Sequence, residues 1–446
     1  LAVPELMPSE AMTILKTLHS SGYQGYLVGG CVRDMVLGRE PADFDICTSA
    51  RPDQVKRLFT KVFDSGIKYG TVTVLLGEKA FEVTTFRNGF GSWDGRRQNI
   101  YEFGSDVRED VNSRDFTING LLFDGERVMD YVNGLEDLNR RLIRAVGSPQ
   151  ARFREDAIRM LRAVRLSCQL GFDIEQKTFA AIPENAGLLE NTAVERIRDE
   201  LVKLLTCRNP SRGMRSLQIT GLLCYFLPEL QDCFGFAQHN SHHDKDVFEH
   251  SLAVLDNTTD DPVLRLAAQL HDIGKPRTFT LDGNGKGHFY SHHIVGGDMT
   301  AEIMSRLRFD KKTAASVTAL VTDHMSRFAF LRKGGVKKLI NRVGTENLDR
   351  LIRLQEADIL GSAGPYDFTL LLDLVREINR VVNRGEPLGV KDLAVSGRDL
   401  VSLGIEEGPE VGRILNKLLA KVWETPEINN REMLIIIAGK IIRGNH

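Results

Sequence analysis

No stretch of this 446-residue sequence is apolar for the roughly 20 residues that a membrane-spanning helix needs, so the chain is expected to stay in water. No CxxC pair occurs among the six cysteines, at 31, 47, 168, 207, 224 and 233, which argues against a disulfide framework and a zinc–thiolate site and fits a reducing cytoplasm. The opening LAVPELMPSEAMTIL has neither a basic segment nor a small-residue cleavage site, so no secretory signal is expected. Repeats and low-complexity tracts are lacking, and nothing points to an obligate protein partner. Charge of one sign is missing too: 58 Lys and Arg stand against 60 Asp and Glu, so no global field draws in nucleic acid. The composition is otherwise that of an ordinary globular protein, 42% hydrophobic and 26% charged. The length exceeds one compact core and predicts roughly two to four domains.

Locally the charge is uneven. Arg140, Arg141, Arg144, Arg152, Arg154, Arg159, Arg162 and Arg165 face only Glu155 and Asp156 within their own stretch, a patch suited to phosphates. The first 130 or so residues read as mixed helix and strand: MTILKTLHSSG as a helix ending at Gly22, YQGYLVGG as a short buried strand, TVTVLLGEKAFEVTTF as a hairpin turning near Gly77. RNGFGSWDGRRQNIYEF reads as a loop returning to a strand at Tyr101 to Phe103. From Phe153 onward, Phe153, Ala157, Met160, Leu161 and Val164 recur at helical spacing, and most of the rest of the chain is expected to be helical too.

The stretch GGCVRDMVLGREPADFDI sets Gly29 and Gly30 ahead of Asp43 and Asp45. In a strand, residues i and i+2 share a face, so the two carboxylates would project side by side. Like charges held together call for a cation, and hard oxygen ligands suit Mg²⁺ with substrate phosphates. Glu82, in FEVTTF, is the candidate third carboxylate if a neighbouring strand brings it alongside. Gly29 and Gly30 fit a turn whose N–H groups approach a triphosphate, with Arg33 as charge partner. An exposed Asp-x-Asp capping a helix would read the same way.

LVGGCVRDMVLGREPADFDI, EVTTFR, REDVNSRDFTINGLLFD and REDAIRMLRAVR together resemble the class II tRNA nucleotidyltransferases, the CCA-adding enzymes of the polymerase-β superfamily, a group that also contains bacterial poly(A) polymerases. The resemblance implies an α+β multidomain fold: a polymerase-β-like nucleotidyltransferase head of mixed sheet with helices over 1–138, then an all-α neck over 139–206. A helical body with an HD region over 207–385 would come next, and last a helical tail over 386–446, suited to tRNA binding. The resemblance further implies that Asp43 and Asp45 bind catalytic Mg²⁺ with Glu82 as a further carboxylate, and that Gly29, Gly30 and Arg33 hold the triphosphate. Arg114, Asp115 and Asn119 would contact the ribose and couple head to neck, and Arg162 counts with the nucleotide-binding set. Asp156 and Arg159, three apart on a helix, offer an acceptor and a donor fork, suited to the amino group and ring nitrogen shared by cytosine and adenine. Glu155 would support them, and Glu195, Arg196 and Glu200 would brace their helix. The reaction implied is transfer of CMP, CMP and AMP from CTP and ATP to the tRNA 3′ end, with the acceptor stem on the arginine-rich neck. A full-length element from Asn88 to Ile100, with Trp93, Asp94, Arg96 and Arg97, and Gln98 where proline is commoner, favours complete CCA addition over CC-only addition. A partial CC- or A-adding enzyme or a poly(A) polymerase shares the other motifs.

In the helical half, His250, His271 with Asp272, and Asp358 occur in the order of metal-dependent HD phosphohydrolases. Imidazoles with carboxylates suit Mn²⁺, Ni²⁺, Fe²⁺ or Zn²⁺ better than Mg²⁺ alone. His292, His293 and His324 offer further ligands or phosphate contacts, and Lys275 a phosphate partner. An HD phosphohydrolase with a degenerate RNA-binding head is the reading from another class.

Overall fold

A computed structural model describes residues 3–87, 103–237, 245–326 and 334–444. The chain divides into two compact units, Leu1–Leu204 with Arg215–Tyr225, and Leu205–Met214 with Phe226–His446.

The first unit opens with α1 (Ser9–Ser20), whose Ala11, Ile14, Leu15 and Leu18 form one buried stripe. Strands β1 (Gly25–Val28), β2 (Asp45–Thr48), β3 (Val62–Gly66), β4 (Thr71–Leu76), β5 (Lys79–Thr85), β6 (Leu122–Phe123) and β7 (Val128–Met129) form one sheet in the order β3-β4-β5-β2-β1-β6-β7. The expected hairpin is β4–β5, with Gly77 between them at φ +64°. Alternation along β5 buries Phe81, Val83 and Thr85 and leaves Glu82 exposed. Pairing of β5 with β2 is parallel and that of β1 with β2 antiparallel, so the sheet is mixed. Around it come α2 (Gly30–Val36), α3 (Pro52–Leu58), α4 (Val107–Asn112) and α5 (Gly134–Asn139). Only Phe103 of the strand expected at Tyr101 to Phe103 is described, in a bridge to Arg87, and the element from Asn88 to Ile100 lies outside the described residues.

The helix expected from Phe153 is two helices. Ser148 caps α6 (Pro149–Glu155), Asp156 leaves helical geometry at φ −154°, ψ 102°, and α7 (Ile158–Leu170) comes directly after. Apolar spacing runs through the break because both helices bury the same side, whereas polar contacts set the break itself. Asp156 is held by Arg196, and Arg159 reaches back to the Arg152 carbonyl. A two-residue parallel pair, β8 (Leu142–Ile143) with β9 (Asp173–Ile174), and the helices α8 (Gln176–Asn185) and α9 (Val194–Leu205) complete this part.

Helices dominate the second unit. After α10 (Pro210–Ile219), which begins in it, and α11 (Pro228–Gln231) come α12 (Val247–Asp256) and α13 (Pro262–Leu270), started by the Asp246 and Asp261 caps. The chain continues through α14 (Lys275–Thr278), α15 (His292–Arg306), α16 (Lys311–Asp323), α17 (Gly335–Val343), α18 (Leu348–Gly361) and α19 (Thr369–Asn383). A hairpin, β10 (Phe279–Leu281) with β11 (Gly287–Phe289), departs from the all-helical body expected. α13 packs against α12, α16 and α18, burying every residue from Leu264 to Leu270. The last helices, α20 (Gly397–Val401), α21 (Pro409–Glu424) and α22 (Arg431–Ile442), share a small core of their own around Leu400, Leu418 and Leu434. No helix among the described residues is long and apolar enough to cross a membrane.

Candidate functional site

In the first unit, β1 ends at Val28 and the chain turns through Gly29 at φ +84°, ψ −136°, a conformation that only glycine adopts without strain. The β1–β2 register sets Val28 opposite Asp45, and the β2–β5 register sets Asp45 opposite Glu82. Glycine turn and two carboxylates thus lie side by side across three adjacent strands, at the end of β1, the start of β2 and the middle of β5. The strand expected to carry both aspartates starts only at Asp45, and Asp43 lies exposed in the non-repetitive segment before it. Burial first, then the charges of Asp43 and Glu82, push the Asp45 carboxyl up to about 6 against the pull of Arg114. Repelling oxygens of this kind fit a hard divalent cation.

A line of hydrogen bonds runs from this turn toward α7 and α9. Arg33 is buried, forks onto Asp34, and donates from Nη1 to Asn119 Oδ1 at 2.8 Å. Asn119 donates to Asp115 Oδ1 at 3.1 Å, and Arg162 Nη1 donates to Asp115 Oδ2 at 2.9 Å. Glu200 on α9 receives Arg165 at 2.5 Å and lies 3.6 Å from Arg162 Nε. Burial would raise the Asp115 pKa, yet Arg162 and Asn119 outweigh it and hold the carboxyl down at about 2. Arg114 is paired with Asp110 at 3.0 Å.

Asp156 and Arg159 do not share a helix face as expected. Arg196 clasps both Asp156 oxygens, at 3.0 and 2.7 Å, while the buried Arg159 donates to Glu155 at 2.8 Å and to the Ser113 carbonyl at 2.9 Å. The arginine patch is largely neutralised as well. Arg140 pairs with Glu136, Arg144 with Asp137, Arg152 and Arg159 with Glu155, Arg162 with Asp115 and Arg165 with Glu200, whereas Arg154 lies exposed. Asp34, Asp110 and Asp137 hold Arg33, Arg114 and Arg144, and sequence reasoning passed over all three carboxylates. The i, i+4 spacing of Asp110 and Arg114 was the one available signal.

In the second unit, α12, the turn after α13, and α18 bring His250, His271, Asp272 and Asp358 together, and the first turn of α15 and the end of α16 add His292 and His324. Close approach is possible because residue 274 has no side chain: a Cβ on Gly274 would stand 2.3 Å from the His292 carbonyl oxygen. The Nδ1 atoms of His271, His292 and His324 lie 2.7–2.8 Å from the carbonyl oxygens of Ala268, Phe289 and Val321. A carbonyl only accepts, so each Nδ1 carries the proton and, in the neutral ring, each Nε2 points a lone pair inward. Burial would raise the Asp272 pKa, but His271 and Lys275 hold it well below the usual carboxylate range. Burial, with the charge of His271 as the next cause, pushes the His324 ring down to about 3. A cavity of about 460 Å³ opens here, lined among others by Asp272, Lys275, His288, Phe289 and Tyr366. Among the described residues, two groups have the spacing to hold a metal ion, His250–His271–Asp272 and Asp272–His292–His324, and neither includes His293.

Three family models match successive segments of the chain. The poly A polymerase head domain family matches residues 25–144, a probable RNA- and SrmB-binding site of polymerase A matches 171–234, and the HD domain matches 247–361. A CCA-adding enzyme of Lactobacillus delbrueckii subsp. bulgaricus is 35% identical over 93% of each chain. Another, from Levilactobacillus brevis, is 35% identical over 97% of this chain and 98% of its own. Among solved structures, the Bacillus stearothermophilus CCA-adding enzyme in complex with CTP superposes with a TM-score of 0.72 at 29% identity, covering 98% of this chain and 99% of that one. The Thermotoga maritima enzyme complexed with tRNA shares the fold at 18% identity and a TM-score of 0.57, over 99% of this chain and 97% of its own. With these relatives aligned over nearly its whole length, the chain belongs to the CCA-adding enzymes, a family of nucleotidyltransferases.

Proposed function

We propose that this chain adds CMP, CMP and AMP, taken from CTP and ATP, to the 3′ end of tRNA without a nucleic-acid template. The observation that carries this reading is the register that sets Asp45 opposite Glu82 beside the Gly29 turn. The terminal tRNA hydroxyl attacks the α-phosphate in line, and pyrophosphate leaves on the opposite side. Mg²⁺ held by Asp43 and Asp45, with Glu82 nearby, would supply the Lewis acidity that neutralises the phosphates. Gly29, Gly30 and Arg33 hold the triphosphate. A carboxylate has about four lone-pair sites; Asp115 uses three, on the Phe116 N–H, Asn119 and Arg162, and keeps one for a ribose hydroxyl. For Asp156 to accept from the amino group of cytosine or adenine, it exchanges a hydrogen bond from Arg196. That pair is exposed enough for the exchange to cost under about 1 kcal/mol. Arg159 then donates to the ring nitrogen once it leaves Glu155, with Arg162 bracing from the next turn.

A second activity is favoured by the histidine cluster of the HD region. His250, His271, Asp272 and Asp358 would hold a transition metal such as Mn²⁺, Ni²⁺, Fe²⁺ or Zn²⁺ and serve phosphate-ester hydrolysis, with Lys275 toward the phosphate. The test of both readings is extension of tRNA transcripts ending at the discriminator base, at C and at CC, with each nucleotide alone and all together. Addition of CCA to the first and of A alone to the last is expected. Asp43→Ala with Asp45→Ala abolishes extension and spares phosphatase activity, and His271→Ala with Asp272→Ala does the reverse. Extension by the first double variant would overturn the head assignment.

A further inference from the structure

We infer that the open face of the head sheet carries a stacking platform for the single-stranded 3′ end of the RNA being extended, with the exposed ring of Phe63 at its centre. This rests on the transferase reading above and extends it. The strand registers set one row of side chains across the sheet: Phe63 of β3 lies opposite Thr73 of β4, Thr73 opposite Glu82 of β5, Glu82 opposite Asp45 of β2, and Asp45 opposite Val28 of β1. Residues paired in this way share a face, so Phe63 stands on the face that carries the carboxylates. At about 4.8 Å between neighbouring strands, its backbone lies roughly 10 Å from that of Glu82. The other face is closed, with Val72, Val74, Phe81 and Val83 buried. On the carboxylate face, α4 covers the β1 side, where Val28 and Leu122 share a core with Val107 and Val111. Toward β3 the row is open: Thr73 is half-buried and Phe63 is 57% exposed.

In-line transfer decides which substrate this open half takes. The attacking oxygen and the leaving pyrophosphate stand on opposite sides of the α-phosphate. Gly29, Gly30 and Arg33 take the triphosphate on the β1 side of Asp45, so the attacking strand comes over β5, β4 and β3. Stacked nucleotides advance about 3.4 Å each, so bases within three nucleotides of the terminal hydroxyl reach Phe63. An aromatic ring there offers its π-face to any base. The edge strand is shaped for this. The β3–β4 register shifts between Phe63 and Gly66, and this bulge turns Gly66 to the same face as Phe63 although they are three residues apart. Tyr69 Cδ2 lies 3.9 Å from where a Cβ on Gly66 would stand, so the exposed Tyr69 adds a second ring on that face. Charge fits a phosphodiester strand too. Lys61 and Lys68 are exposed and neither is ion-paired among the described residues, while Asp64 is engaged by Lys56 at 2.6 Å. Between Glu82 and the rings, the floor is made by the hydroxyl side chains of Thr71, Thr73 and Thr84 rather than by further carboxylates that would repel phosphate.

The test uses the full-length chain and a tRNA transcript ending at CC, with 2-aminopurine as its discriminator base, extended with ATP in Mg²⁺. Phe63→Ala is expected to raise KM for the transcript by about tenfold, the scale of one stacked base, and to leave KM for ATP unchanged. Phe63→Trp should restore the transcript KM, which a merely structural role would not require. Fluorescence reads the contact without chemistry: 2-aminopurine is quenched on binding to the unsubstituted chain and stays bright on the Phe63→Ala chain at saturating protein. Equal transcript KM and equal quenching in the two chains would overturn the platform and leave the transferase reading intact. Loss of self-association by Phe63→Ala in sedimentation, with the transcript KM unchanged, would also overturn it and assign the edge strand to a second copy of the chain. An unsubstituted chain that extends no transcript would overturn the transferase reading and the platform with it.

Discussion

Replacing Arg162 with methionine tests how far a binding residue also holds the unit together. Arg162 donates to Asp115 at 2.9 Å, and its loss leaves that carboxylate, 8% exposed, with Asn119 and the Phe116 N–H alone. The Arg162 pair helps hold Asp115 down at about 2 against an ordinary 3.8, which at about 1.36 kcal/mol per pH unit is on the order of 2 kcal/mol of stability. Because the folded pKa is the lower one, this stabilisation is fully present above pH ~4, about half gone at pH ~3, and lost as pH falls through ~2. Hydrogen exchange of peptides spanning 107–123 and 158–170 reads the local free energy without requiring the whole chain to unfold in one step. Arg162→Met should lose about 2 kcal/mol of protection there at pH 7, with the deficit shrinking toward pH 3. A deficit that is negligible at pH 7, or that does not change with pH, would refute the claim that the Arg162 pair is what depresses Asp115.

Arg196→Ala frees Asp156 from the guanidinium that clasps it, and the expected effect is on choice rather than speed: misaddition of UMP and GMP rises in single-nucleotide extensions, while stability changes by under about 1 kcal/mol. Affinity for tRNA should fall with salt, and Arg154→Ala should reduce the log–log slope by about 0.7–0.9, measured by filter binding across salt concentrations, whereas Arg140→Ala, which already has Glu136, should leave it nearly unchanged. Gly274→Ala puts a methyl group 2.3 Å from the His292 carbonyl oxygen, so α15 must shift, and the transition-metal content of the HD region should drop below that of the unsubstituted chain by mass spectrometry.

Much of the head was legible in the sequence because its signals are local. Alternation in TVTVLLGEKAFEVTTF marks the hairpin, and the Asp43–Asp45 spacing marks the carboxylate pair. Placing Glu82 beside them needed only one further step, the adjacency of β5 and β2. The break at Asp156 was not legible, since periodicity reports which side is buried and is blind to the side-chain contacts that end a helix. A charge count confined to one stretch of chain likewise misjudged the arginines. Asp115 pairs with Arg162 across 47 positions and Glu200 with Arg165 across 35, so their neutralisation is invisible within that stretch. The HD motif was legible as an order of residues and His292, His293 and His324 as further candidates, but that His292 and His324 gather at Asp272 while His293 does not was not, because it depends on which way each ring faces.

On the proposed assignments, one chain draws two kinds of metal from a common pool, and the donor sets explain how. Raw affinity rises along the first-row series toward copper for almost any site, so a head that relied on binding strength would lose Mg²⁺ to scarcer ions. Asp43, Asp45 and Glu82 instead offer only carboxylate oxygens, with Asp43 and Glu82 exposed, where hydrated Mg²⁺ keeps its waters and adds substrate phosphates. The HD cluster does the opposite: its imidazoles are buried and oriented by backbone carbonyls, and a small hard cation would have to shed water to reach nitrogen donors that reward it little. Each site therefore rejects the other's ion by a different route, the head by lacking nitrogen donors and the HD cluster by presenting mainly imidazole nitrogens. The consequence is measurable in one titration: a chelator selective for transition metals should remove phosphatase activity at concentrations that leave nucleotide addition in millimolar Mg²⁺ untouched, and parallel loss of both activities would show that the two donor sets do not discriminate.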